Sequence, residues 1–169
     1  MIKKLPDEVV KKIAAGEVID SPAAVVRELV ENAIDAQAKN IRIVVEESGK
    51  RLIVVEDDGT GIPGDEIPVA VERFTTSKIS AEEDLSKIQT LGFRGEALHS
   101  IATVSKLTIR SGTEGDSSWE VVFEDTKPKT VKPAPFRKGT TVIVRDLFYN
   151  FPVRRKFLGG DLYEGRRII

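Results

Sequence analysis

Hydrophobic positions return at helical spacing in the first part of the chain. Residues 7–15 (DEVVKKIAA) read as a short helix. Ser21 then supplies an N-cap, Pro22 the first helical position, and an amphipathic pattern continues to about Gln37. Beyond it the period shortens. Ile41-Arg-Ile-Val-Val45 and Leu52-Ile-Val-Val55 are rich in β-branched residues and flank the turn-forming Ser48-Gly-Lys-Arg51, which predicts an antiparallel hairpin. Asp57-Asp-Gly-Thr-Gly61 ends the second strand, because glycine admits backbone conformations that other residues avoid. Helical patterns cover 65–73, weakened by Pro68, and 81–88, with the polar Thr75-Thr-Ser-Lys78 between them as a loop. After Gly92-Phe-Arg-Gly95 a helix is predicted over 96–102, then strands near 106–111, 119–123 and 140–146. No internal repeat is visible, so a mixed α and β fold is expected.

Composition narrows the chemistry. The 169 residues suit one domain, and at this size folding buries roughly 70% of the unfolded surface. The 26 Lys+Arg against 27 Asp+Glu leave a formal net charge of −1, so charge alone makes no case for nucleic acid. With no cysteine and one histidine, His99, there is no disulfide framework or thiolate nucleophile, and neither a His-rich metal site nor a catalytic triad is expected. No apolar run approaches the ~20 residues of a membrane span. Met1-Ile-Lys-Lys leads into Leu5, Pro6, Asp7 and Glu8 rather than a signal-peptide core, so a soluble, intracellular chain with no membrane partner is expected.

Several runs could carry chemistry. On the second helix Glu28, Asn32 and Asp35 are spaced by four and three and fall within about 60° of arc. Val26, Leu29, Val30, Ala33 and Ile34 are expected on the opposite, core-facing side. Alone, such a stripe reads first as a solvated face. Asp57-x-Gly59-x-Gly61 offers a carboxylate that can accept from an amino group and a backbone open to a flat ligand, or an ordinary turn. Gly92-Phe-Arg-Gly95 entering a helix suits a phosphate, or is a glycine-rich cap. Thr75 to Lys78 could close over an anion or lie on the surface. Arg154, Arg155 and Lys156, set between aromatics, could touch nucleic acid or snorkel from an anchored turn. The chain has no Walker A motif and no dinucleotide-binding fingerprint.

In combination the motifs are specific. Glu28-Leu-Val-Glu-Asn32-Ala, Asp57-Asp-Gly-Thr-Gly61, Thr76-Ser-Lys78, Gly92-Phe-Arg-Gly-Glu-Ala-Leu98 and Gly139-Thr-Thr141 occur in the order seen in the GHKL ATPases, the group of gyrase, a heat-shock chaperone, histidine kinases and MutL. Ile13-Ala-Ala-Gly-Glu-Val18, Arg27-Glu-Leu-Val-Glu-Asn-Ala-Ile-Asp-Ala36, Leu91-Gly-Phe-Arg-Gly-Glu-Ala-Leu98 and Asp146-Leu-Phe-Tyr-Asn150 resemble the signatures of the MutL family of DNA mismatch-repair ATPases, from about Leu5 to Leu158.

That resemblance implies a two-layer α/β sandwich, with a mixed, largely antiparallel sheet and helices over one face. It implies ATP and Mg²⁺ as cofactors, Glu28 as the general base and Asn32 as a magnesium ligand. Asp57 would accept the adenine amino group, with Ala36, Gly59 and Gly61 shaping the pocket and Thr141 supporting Asp57. Thr76, Ser77, Lys78, Gly92, Phe93, Arg94 and Gly95 would form the lid and phosphate-binding region. ATP would order the lid and an N-terminal arm (about 1–18) and promote self-association, with a MutS-like mismatch-recognition partner and weak DNA contact through Arg154, Arg155 and Lys156. A cytoplasmic or nucleoid-associated location would follow. The ATP-binding domain would span 1–158. The family continues into a second subdomain that sends a lysine to the γ-phosphate, whereas 159–169 depart from its pattern, so the chain reads as a fragment. A nucleotide-gated binding module without useful turnover, or another GHKL enzyme, are the alternative readings.

Overall fold

In a computed structural model the described residues are 1–72, 96–156, 158 and 161–168, with the side chains of 161–164 excepted. Six strands, β1 (Ile41–Glu46), β2 (Leu52–Asp57), β3 (Lys106–Gly112), β4 (Ser118–Glu124), β5 (Lys127–Ala134) and β6 (Gly139–Arg145), form one sheet in the order β1-β2-β6-β3-β4-β5. Every neighbouring pair is antiparallel. The sheet is therefore antiparallel throughout the described residues, in keeping with the largely antiparallel sheet that the resemblance implies. Strand β5, KPKTVKPA, carries none of the expected signals. Its lysines and prolines mark an edge strand, where one side needs no hydrogen-bond partner.

Side chains alternate between the two faces along each strand. Ile53 and Val55 of β2, Val142 and Val144 of β6, Leu107 and Ile109 of β3, and Val121 and Phe123 of β4 share one face and belong to the buried core. Helix α1 (Asp7–Val18) and helix α2 (Pro22–Asp35) contribute Ala15, Val25, Val26 and Leu29 to it, and helix α3 (Ala97–Val104) contributes Ile101, Ala102 and Val104. Ile143 lies on the other face and is absent from this cluster. Helices cover one face, as expected.

Local chemistry sets the helix ends. Ser21 Oγ accepts from the Ala24 amide at 3.2 Å, the expected N-cap with Pro22 behind it. At the end of α3 the amide of Phe148 donates to Val104 O at 2.6 Å and Asn150 Nδ2 donates to Thr103 O at 2.8 Å, satisfying carbonyls that the helix leaves open. Asp146 and Phe148 adopt positive φ (52° and 62°), held there by the fully buried Phe148 ring. The helical pattern expected over 65–73 condenses, as far as 72 where the described residues stop, to one 3-10 turn, Ile67–Val69, with Pro68 inside it. The expected helix at 81–88 and loop at 75–78 lie outside the described residues. A short helix α4 (Pro152–Lys156) and helix α5 (Asp161–Ile168) follow β6, and α5 rests on α2 and the β1–β2 turn.

Candidate functional site

Asp57 closes β2, on the core face in register with Thr140 of β6. Its Oδ1 accepts from the Gly59 amide at 2.8 Å, and the carboxylate also takes the Thr140 amide. Only 6% of the residue is exposed. Burial pushes the carboxyl above its ordinary 3.8, against the pull of the two amides and of the Arg137 charge. A buried carboxylate held by backbone amides rather than by a touching cation is suited to receive a donor from a ligand.

The loop after Asp57 packs on the end of α2. The Thr60 amide donates to Ala36 O at 2.9 Å, and the space where a Gly59 side chain would sit is taken by Ala36. Gly61 adopts φ +76°, and a side chain there would lie 2.1 Å from Gly112 O. Ser111 ties the neighbouring strands together: its Oγ reaches Gly139 O at 2.9 Å and Thr140 Oγ1 at 2.8 Å, and accepts from the Ile62 amide at 2.8 Å.

Asp58 does a different job from Asp57. It is only partly buried, and its carboxylate accepts from the Lys39 amide (2.7 Å), the Asn40 amide (2.9 Å) and Asn40 Nδ2 (2.8 Å). Those bonds, the Asn40 side chain first, lower its pKa to about 2. They pin the α2–β1 connection to the end of β2 and so fix Ala36 beside Gly59. Ser111 carries no motif signal, and Asp58 and Thr140 lie inside the Asp57–Gly61 and Gly139–Thr141 runs without a role assigned to them by the sequence. Only the register, a long-range fact, brings Ser111 and Thr140 to Asp57.

Thr141 lies elsewhere. It pairs with Glu56, so its side chain is on the outer face, where Arg137 Nη1 donates to it at 3.3 Å. Thr140, one residue earlier, is the threonine that holds Asp57.

Glu28, Asn32 and Asp35 do form one stripe on α2, but it flanks the buried face instead of opposing it. Pro22, Val25, Val26, Leu29 and Ala33 are buried on an arc centred about 100° round the helix from Glu28. Ile34, expected inward, is 54% exposed on the solvent side. The stripe is half-buried, and the Glu28 side chain retains 16% exposure with Arg27 3.5 Å away. Asn32 lies ~6 Å and Glu28 ~12 Å along the axis from Ala36. Thr76, Ser77, Lys78, Gly92, Phe93, Arg94 and Gly95 lie outside the described residues.

The basic triplet is partly used inside the fold. Arg154 donates to Gly16 O and Arg155 to Leu147 O, both at 3.3 Å, while Lys156 is exposed. His99 reaches Val71 O at 3.1 Å through Nδ1. Among the described residues no group of three His, Cys, Asp or Glu side chains could hold a metal ion, and no helix is long and apolar enough to cross a membrane. A cleft of about 640 Å³ on the outer face is lined by Glu56, Arg110, Glu120, Lys132 and Arg137. Each of these charges has a partner within the cleft, Glu120 serving both Arg110 and Lys132, so one cation is in excess.

A model of the histidine kinase-, DNA gyrase B- and HSP90-like ATPases matches residues 20–137. The DNA mismatch repair protein MutL of Carboxydothermus hydrogenoformans is 52% identical over 93% of this chain and 27% of its own length. MutL of Elusimicrobium minutum is 52% identical over 96% of this chain and 27% of its own length. The chain thus spans about a quarter of these curated relatives. Among solved structures it is similar to the Aquifex aeolicus MutL ATPase domain complexed with ADP (TM-score 0.66, 38% identity, 89% of this chain and 52% of that one). It is also similar to the N terminal domain of a DNA repair protein (TM-score 0.74, 34% identity, 87% of this chain and 42% of that one).

Proposed function

The chain belongs to the histidine kinase-, DNA gyrase B- and HSP90-like ATPase family, and from that premise we propose that it is the ATP-binding and weakly hydrolysing region of a MutL-type mismatch-repair protein. The observation that carries the reading is the buried carboxylate of Asp57, held by the amides of Gly59 and Thr140 at the Ala36 end of α2. It accepts the adenine amino group, with Ala36, Gly59 and Gly61 as the walls of the base pocket. From that end the α2 stripe runs outward in the order a nucleotide requires: base at Ala36, phosphates at Asn32, reacting water at Glu28.

Glu28 acts as general base. It takes a proton from water as the oxygen attacks the γ-phosphorus, the bond from that phosphorus to the bridging oxygen breaks, and ADP leaves with the electron pair. The described residues fit a cation held mainly by the nucleotide, because one amide oxygen, Asn32, and no cluster of acidic groups is offered there. When bound, Mg²⁺ would neutralise charge on the phosphates. Thr76, Ser77, Lys78, Gly92, Phe93, Arg94 and Gly95 belong to the phosphate end in this reading. Thr140 takes the supporting place that the family pattern gives to Thr141.

Binding drives self-association only as far as ATP prefers the closed form to the open one. A MutS-like partner, weak DNA contact through the Arg154 to Lys156 segment, and an intracellular setting complete the proposal. The domain spans about 1–158, with 1–18 as the arm. Calorimetric titration with ATP and magnesium tests it. The parent chain binds, Asp57→Ala loses binding by about 100-fold or more, and Glu28→Ala binds like the parent without turnover. Equal affinities for parent and Asp57→Ala would refute the pocket.

A further inference from the structure

The sheet has two free edges among the described residues, and they are built differently. Strand β5 carries Pro128, Pro133 and three lysines, devices that discourage another strand from adding. Strand β1, IRIVVE, carries no proline, no glycine and no lysine. Ile43 and Val45 are 42% and 39% exposed on its helix-side face. Arg42 and Glu46, on the outer face, meet their partners within the chain only at distance: Arg42 lies 4.0 Å from the half-buried Glu56, which Arg137 already holds at 2.8 Å, and Glu46 lies 3.6 Å from the exposed Arg51.

The sequence of β1 is complementary to itself. When two copies run antiparallel about a two-fold axis at Val44, Arg42 of each lies opposite Glu46 of the other, Ile43 opposite Val45, and Val44 opposite Val44. The period of two keeps every pair on a common face: both charged pairs and the Val44 pair on the outer side, both Ile43–Val45 pairs on the helix side. A shift by one residue would place Arg42 against Val45 and lose both ion pairs. Such an isologous contact closes on itself and leaves no β1 edge exposed.

We propose that the β1 edge is a docking surface for a second copy of this chain, joining two six-stranded sheets into one, without nucleotide. One strand pair buries less than the ~1,200 Å² of a standard interface, so the association is weak and concentration-dependent.

Sedimentation of the full chain without ATP, over a concentration series at low salt, tests this. The parent shows a monomer–dimer equilibrium. Arg42→Glu and Glu46→Arg each place like charges opposite one another twice, and each weakens self-association about tenfold or more. The decisive sample is their mixture. One variant then carries acidic groups at both positions 42 and 46 and the other basic groups at both, so each cross-strand pair is again of opposite charge. The mixed pair associates as tightly as the parent, as does the doubly reversed Arg42→Glu/Glu46→Arg chain with itself. A parent that stays monomeric at every concentration overturns the proposal, and so does a mixture no tighter than the single variants. Association that requires ATP and survives both reversals assigns the contact to another surface. ATP titration of the same samples reads the nucleotide site separately, and all variants are expected to bind as the parent does.

Discussion

Glu56 and Asp57 are consecutive in β2 and meet opposite conditions. On the outer face Glu56 belongs to a row that crosses the sheet from Arg42 through Glu56, Thr141, Arg110 and Glu120 to Lys132. Arg137 sits 2.8 Å from Glu56, Arg110 bonds Glu120, and Lys132 lies 3.2 Å from Glu120. On the core face the parallel row runs Asp57, Thr140, Ser111, and its carboxylate is held by amides within a hydroxyl network. The difference teaches where binding capacity resides. A carboxylate neutralised by a neighbouring cation stabilises the sheet. One kept buried without such a cation costs stability, and a ligand donor recovers that cost on binding.

The most disruptive way to probe this contrast is Gly139→Ala. Gly139 has φ +117°, and a side chain there would lie 2.0 Å from the Asp57 carbonyl oxygen, where the core-face row begins. Both the strained backbone and the collision act against the β2–β6 pairing. The expected loss is about 3 kcal/mol or more of unfolding free energy by denaturant titration. A loss under ~1 kcal/mol would mean that the strand start shifts freely and that Asp57 is not rigidly placed.

A finer division separates adjacent threonines. Thr140→Val removes the hydroxyl that bonds Ser111 beside Asp57, and ATP affinity should fall about tenfold, the worth of roughly one buried hydrogen bond. Thr141→Val removes only the 3.3 Å contact to Arg137 on the outer face and should leave ATP affinity within about twofold. Equal effects would erase the distinction between the faces.

The carboxylate itself can be tested through pH. Because burial raises the folded pKa of Asp57 above 3.8, the stability tied to its protonated form is complete below 3.8 and is lost as pH rises through the folded value. Asp57→Asn keeps an oxygen for the Gly59 amide and never ionises. Its melting temperature should exceed the parent's at neutral pH, with the gain vanishing toward pH 3.8, while ATP binding is lost. A variant less stable than the parent at pH 7 would show that the ionised group is not under strain.

Much of this architecture is legible in the amino-acid sequence, and the limits have physical causes. The N-cap at Ser21, the hairpin and the Asp57 turn are local, set by side chains and glycines within a few residues. The polar stripe is legible as a stripe, but its tilt toward the core depends on what α2 packs against, so periodicity puts Ile34 on the wrong side. Strand β5 is invisible to pattern because its prolines and lysines suit an edge, and being an edge is a property of the whole sheet. The exchange of Thr141 for Thr140 has the same origin. A motif locates a threonine to within a residue, whereas the period of two in a strand makes one residue the difference between the faces.

The smallest effect belongs to the outer row. Arg110 is half-exposed, and without it Glu120 keeps Lys132 at 3.2 Å, so Arg110→Ala should cost no more than about 1 kcal/mol and shrink further in high salt. The pH dependence runs opposite to that of Asp57. The hydrogen bond from Arg110 is the chief reason the Glu120 pKa lies below 4.5. Its stabilisation is therefore present above 4.5 and lost as pH falls through the folded value. The gap in melting temperature between parent and Arg110→Ala should narrow on acidification, while the gap for Asp57→Asn closes there from the other sign. ATP affinity should not change. If Arg110→Ala weakened ATP binding as Thr140→Val does, the two faces would be coupled through the sheet, and the charged row would be part of the nucleotide site rather than its scaffold.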